Sequence, residues 1–290
     1  MARSDDGSDH WVERVYCADG RVGSAETVIW NLGATMSVRI QLLQCGWVET
    51  EARFIADGLP GKIRLPVPSV LIEHPAGLAL FDTGLHPETV SNPSRLGANQ
   101  KIFDVTLGQD EDLASQLARL NVDPGDIKYL VNSHLHFDHC GGNESVPNAT
   151  VVIQKPEWAA GHKTKLIEMD VYNPADYDHG HQVMEIEGEH DLFGDGSVRC
   201  VPTYGHTPGH QSLVIETDQG RCVFAADTCY LRETLEQGLL PKIGYDLQMQ
   251  KKSLDWLRQE RDDGAYIVFG HDAAQWSSFS KAPELFAPGA

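Results

Sequence analysis

From Val38 to Leu43 apolar and polar residues largely alternate, the two-residue period of a strand with one buried face. Ser69-Val70-Leu71-Ile72-Glu73-His74 and Leu78-Ala79-Leu80-Phe81 flank the turn Pro75-Ala76-Gly77, which predicts a hairpin. Leu113, Leu117 and Leu120 share one helical face over Asp110 to Leu120, ahead of the breaker Asp123-Pro124-Gly125. Further strands are expected at Ile127 to Val131, Thr150 to Ile153, Val198 to Val201, Leu213 to Glu216, Cys222 to Ala226 and Ala265 to Phe269. A second helix is expected over Leu247 to Gln259. Strands outnumber helices and do not alternate strictly with them, so the chain reads as mixed α/β (α+β).

Two regions depart from these periods. Residues 1–35 mix polar, acidic and glycine-containing stretches and are expected to form an N-terminal arm before a domain spanning 36–290. Residues 156–190 are polar, rich in Trp, Tyr, His and Asp, and weakly periodic. They are expected to be a lid or insertion more than core.

Composition narrows the partners more than the fold. The 23 basic residues against 42 acidic ones leave a net charge of −19, a field that disfavours nucleic acid and anionic membrane. Cysteines at 17, 45, 140, 200, 222 and 229 form no C-x-x-C pair, which suits reduced thiols in a chain of 290 residues. The first residues lead into no apolar core of a signal peptide and no stretch reaches membrane-span length, so a cytoplasmic address is expected.

The densest chemistry follows the strand at 127–131. In Asn132-Ser133-His134-Leu135-His136-Phe137-Asp138-His139, three imidazoles and a carboxylate fall within six positions. Packing explains such density poorly, whereas a divalent cation satisfies several ring nitrogens at once. Three more metal-capable side chains, His206, Asp227 and His271, each lie just after an apolar strand. Strand ends that converge on one sheet edge would gather them all.

The run His134-x-His136-x-Asp138-His139, with His206, Asp227 and His271, resembles the binuclear site of the metallo-β-lactamase superfamily. Asp82-Thr83-Gly84 resembles that superfamily's early strand-end motif, and the likeness spans about residues 38–275. It implies a four-layer αββα sandwich of two mixed sheets flanked by helices. His134, His136 and His206 would hold one metal, Asp138, His139 and His271 the other, with Asp227 bridging. Nitrogen and oxygen ligands without thiolate point to two divalent ions, zinc above all. A carboxylate in place of His136 would have suggested the flavodiiron members, and a cysteine in place of Asp227 a true β-lactamase.

Two details resemble the N-acyl homoserine lactonase branch: Tyr230, three residues beyond Asp227, and the wording of His134 to His139 and of His206-Thr207-Pro208-Gly209-His210-Gln211-Ser212-Leu213. That likeness implies lactone opening by attack of a metal-bridging hydroxide, with Tyr230 hydrogen-bonded to the carbonyl and Asp138 passing a proton to the ring oxygen. Phe137, Trp158, Tyr172 and Tyr177 are candidates to bound an acyl-chain pocket. Asp82 and His210 are expected to support the ligands without binding metal. Cys140 reads as an inert small residue.

The competing readings are a glyoxalase-II-like thioesterase, another ester or lactone hydrolase of the superfamily, and a non-catalytic metal-binding module. A single lysine in the tail from Ser277 to Ala290 weakens the first, since glyoxalase II relatives usually carry a basic region there for glutathione. The expected partner is a small lactone, and the arm could cover the site or support a homodimer.

Overall fold

The first alternating run extends well past Leu43. It forms β1 (Arg39–Glu51), antiparallel to β2 (Lys62–His74) with Arg39 opposite Glu73. The expected hairpin closes between His74 and Gly77 and leads into β3 (Gly77–Phe81). The computed structural model describes residues 38–242 and 244–288. The arm expected over 1–35 lies outside the described residues.

β4 (Asp104–Thr106), β5 (Ile127–Val131), β6 (Thr150–Gln154) and β7 (Val183–Ile186) complete a seven-stranded sheet in the order β4-β1-β2-β3-β5-β6-β7. Within it β3, β5, β6 and β7 run parallel. The second sheet comprises β8 (His190–Asp191), β9 (Val198–Pro202), β10 (Gln211–Thr217), β11 (Gly220–Phe224) and β12 (Tyr266–Val268), in the order β12-β11-β10-β9-β8. β9 and β11 are both antiparallel to β10, and β12 is parallel to β11. The ends of β9, β11 and β12 therefore face the same way.

Side-chain alternation explains the layers. Val70 and Ile72 of β2, with Ala79 and Phe81 of β3, enter the core between the sheets and meet Val198, Leu213, Ile215 and Phe224. Leu71 and Leu80, on the opposite face, meet Leu113 and Leu117 of the helix Leu113–Arg119. Leu254 and Leu257 of the helix Leu247–Asp262 cover Val214, Val223 and Ile267 on the outer face of the second sheet. The result is the expected helix–sheet–sheet–helix sandwich. The helix foreseen from Asp110 begins at Leu113, because the Asp112 carboxylate accepts from the Ser115 N–H (2.9 Å) and caps it.

Residues 156–190, expected as a lid or insertion more than core, also contribute to the core. Val183–Ile186 pairs with β6 as a sheet strand, and Tyr172 and Tyr177 are buried beside Leu130 and Ile153. The apolar content was disguised in tyrosines whose hydroxyls find partners, Tyr172 on Glu157 and Tyr177 on the Gly161 carbonyl. No helix among the described residues is long and apolar enough to cross a membrane.

Candidate metal centre and substrate cavity

β5 ends where the histidine cluster begins. His134 is fully buried, and the short helix Phe137–Cys140 turns Asp138 and His139 back toward it. His206 hangs in the loop after β9, Asp227 in the turn Ala226–Thr228 after β11, and His271 just past β12. Gly270 permits the last approach, since a Cβ there would lie 2.4 Å from the Ala226 carbonyl oxygen. The Gly270 and His271 N–H groups donate to the Cys229 and Tyr230 carbonyls (3.0 and 2.9 Å), which locks the two loops together.

The structure brings all seven expected side chains into two adjoining groups: His134, His136, His206 and Asp227, then Asp138, His139 and His271. Within the first, His134 Nε2 and His136 Nδ1 are 2.9 Å apart, and His206 Nε2 lies 3.2 and 3.0 Å from them. Tetrahedral zinc with nitrogen ligands would space its donors about 3.3 Å apart. Asp227 turns one oxygen to each group. Its Oδ2 is 3.1 Å from His206 Nε2, and its Oδ1 is 3.1 and 2.9 Å from His139 and His271 Nε2. Asp138 Oδ2 stands 3.8 and 3.9 Å from the same two rings.

The outer ring nitrogens reveal what the inner ones need. His271 Nδ1 lies 2.8 Å from the Pro66 carbonyl oxygen, which can only accept, so the proton sits on Nδ1. His139 Nδ1 likewise donates to Asp82 (2.8 Å). Both rings thus turn Nε2, the atom a metal ligand would present, toward the Asp227 carboxylate, and His139 Nε2 is a buried atom without a hydrogen-bond partner. A carboxylate faced by two buried Nε2 atoms calls for positive charge among them, which a divalent ion supplies, or in its absence a second proton on each ring. The donor set therefore fits two divalent ions of zinc's preference, with nitrogen and carboxylate ligands and no sulfur.

Electrostatics separate the two groups of rings. Burial pushes His134 and His136 well below the ordinary imidazole range, and neighbouring rings add to this, so both are neutral as ligands must be. Burial would also lower His271, yet the Asp227 and Asp138 charges outweigh it and raise it. Burial would raise Asp227, but His139, His271 and His206 hold it well below the usual carboxylate range.

Asp82 and His210 stand behind the ligands. The Asp82 carboxylate accepts from the Ser133 N–H and hydroxyl (2.7 Å each) as well as from His139. His210 accepts the Asp227 N–H at Nε2 (3.0 Å), while Nδ1 meets the Thr203 and Thr228 hydroxyls. Tyr230 is buried, with its hydroxyl 3.0 Å from His206 Nδ1. Burial pushes its phenol well above the ordinary range, with Asp227 and Asp138 adding to the effect, so it is a neutral donor.

A cavity of about 270 Å³ opens onto His136, Asp138, His206, Asp227, Tyr230 and His271. Its apolar lining differs from the expected one. Phe137 lines it, but Trp158 packs on His162, Tyr177 is buried in the core, and Tyr172 faces a neighbouring polar hollow beside Arg95. The lining instead comes from Val48 and Leu65 of β1 and β2, Phe54 and Ile55 between them, and Ile102, Phe103, Met169 and Val171. The adjacent apolar pair Phe54-Ile55, in a segment with no period, was the signal available in the sequence.

A two-sheet sandwich whose strand ends gather imidazoles and carboxylates into adjoining donor groups defines a metal-dependent hydrolase. The model of the metallo-β-lactamase superfamily matches residues 63–271. The chain belongs to that superfamily. It is 31% identical over 261 residues to the N-acyl homoserine lactonase AttM of Agrobacterium fabrum, covering 86% of this chain and 99% of the relative. It is 32% identical over 238 residues to the N-acyl homoserine lactonase AiiA of Bacillus thuringiensis subsp. kurstaki, covering 78% and 89%. Among solved structures it is similar to an N-acyl homoserine lactone hydrolase with the product N-hexanoyl-L-homoserine bound at the catalytic metal centre. That match has a TM-score of 0.76 and 29% identity, and covers 85% of this chain and 98% of the other.

Proposed function

We propose that this chain hydrolyses lactone rings, with N-acyl homoserine lactones as its substrate class. The observation that carries the reading is one cavity with two chemistries. Its floor holds the metal donors and the Tyr230 hydroxyl, and its lining is apolar, as a polar ring bearing an acyl tail requires. Lactonase relatives at 31% and 32% identity over most of the chain support it.

His134, His136 and His206 would hold one ion, and Asp138, His139 and His271 the other, with Asp227 shared. Bound there, the pair supplies Lewis acidity toward the carbonyl and a water of lowered pKa. The chain's own side chains do the rest. With Nε2 turned to the donor group, His206 donates its Nδ1–H to the Tyr230 oxygen. The phenol hydrogen is thereby free for the substrate carbonyl oxygen, where negative charge develops. Asp138 faces the cavity and can take the proton released by the attacking water and pass it to the ring oxygen as the C–O bond breaks. Val48, Ile55, Leu65 and Phe103 bind the acyl chain and exclude water.

Phe103 is half-buried against Phe137, with ring centroids 5.7 Å apart. Phe103→Ala is expected to lower kcat/KM for a decanoyl lactone by about 5- to 10-fold, roughly 1 kcal/mol of lost apolar contact. A butyryl lactone should be nearly unaffected. Equal losses for both chain lengths would remove Phe103 from the acyl wall.

The function itself is tested by assaying metal-loaded protein against homoserine lactones, other lactones, thioesters and β-lactams. Preference for acyl homoserine lactones is expected; thioester cleavage with lactones untouched would overturn the reading. The five described cysteines are unpaired and buried, which suits a reducing compartment, and we assign the protein to the cytoplasm on that ground.

A further inference from the structure

Glu157 has no part in the mechanism above, yet its side chain is fully buried next to the ligand loops. It sits in the first turn of the helix Lys155–Gly161, just after Pro156. Its Oε1 accepts the Leu135 N–H (3.1 Å) and the Tyr172 hydroxyl (3.0 Å), and its Oε2 accepts the Gly209 N–H (2.9 Å). Leu135 lies between His134 and His136, and Gly209 is three residues beyond His206. Gly209 is pressed close, since a Cβ there would come 2.3 Å from the Glu157 nitrogen. One carboxylate thus holds backbone from both loops of the first donor group.

We infer that Glu157 is a positioning residue whose buried carboxylate ties the His134–His136 loop to the His206 loop and so sets the spacing of their three imidazoles. The inference rests on the reading of those imidazoles as metal ligands. Burying a carboxylate costs free energy that its hydrogen bonds must offset, and here two of the three donors are main-chain groups of the site. Tyr172 adds a third tie, to the segment whose Val171 lines the cavity.

The isostere separates this role from packing. A carboxamide can offer its oxygen to only one of the two backbone N–H groups, while its NH2 faces the other, so Glu157→Gln must orphan Leu135 or Gly209. Tyr172→Phe removes only the phenol donor and leaves both loop amides satisfied. Full-length protein would be loaded with cobalt, and metal per chain, cobalt affinity, the visible spectrum of the bound ion and far-UV circular dichroism measured.

Glu157→Gln is expected to fold normally, to weaken cobalt binding about 10-fold or more, and to change the ligand-field spectrum. Tyr172→Phe is expected to keep the parental affinity and spectrum. A Glu157→Gln protein with parental affinity and spectrum would overturn the inference, as would a Tyr172→Phe protein that loses metal equally. Should Glu157→Gln fail to fold, amide exchange in the zinc-loaded parental chain decides. Slow exchange at both Leu135 and Gly209 is expected, and fast exchange at either would overturn the tie. A parental chain that binds no cobalt would instead sink the metal reading itself.

Discussion

Asp227→Asn is expected to empty at least one metal position and to reduce lactone turnover by on the order of 10³-fold, or ~4 kcal/mol. Asp227 places one carboxylate oxygen against His206 and the other against His139 and His271. Asp227 lies within 4 Å of rings from both donor groups. The amide preserves size but removes the charge that balances the cations, and it turns an NH2 toward one set of ligands. Its backbone N–H still has His210 as partner, so the turn Ala226–Thr228 should persist and the loss should be chemical. Elemental analysis beside circular dichroism checks this. Full metal content with normal turnover in Asp227→Asn would contradict a shared carboxylate.

Tyr230→Phe should act differently. Metal content should stay at the parental level while kcat/KM for lactones falls by about 5- to 150-fold, corresponding to roughly 1–3 kcal/mol. The phenol stands on His206 Nδ1 and shares the cavity floor with Asp138, so its hydrogen bond is available to a carbonyl oxygen gaining charge. The loss should fall mainly on kcat, because that oxygen accepts more strongly in the transition state than in the bound lactone. A rise in KM with kcat unchanged would make Tyr230 a binding contact only. Unchanged kcat/KM would remove it from the mechanism.

The contrast between these side chains and the cavity wall shows what a sequence displays and what it hides. His134, His136, Asp138 and His139 crowd one short run, and His206, Asp227 and His271 each follow an apolar strand. Dense polar chemistry at strand ends is a local signal, and β5 and β11 deliver it to one place. Leu71 and Leu80 against Val70 and Phe81 likewise expose the two-faced sheet through period-two alternation. Phe54, Ile55, Met169 and Val171 carry no period, and only the tertiary meeting of the β1–β2 connection with the segment after Thr164–Glu168 makes them one wall. Val183–Ile186 is too short and mixed to stand out from a polar stretch. Glu157 was hidden for another reason: an acid in a helix's first turn is ordinary, and only its burial against two loop amides sets it apart.

Anomalous diffraction from crystals of zinc-loaded protein tests the central claim most directly. The account predicts two peaks per chain, about 3.5–4 Å apart. One should lie among His134, His136 and His206, the other among Asp138, His139 and His271, with Asp227 touching both. A single peak, or zinc bound elsewhere while these seven side chains only pair with one another, would contradict it.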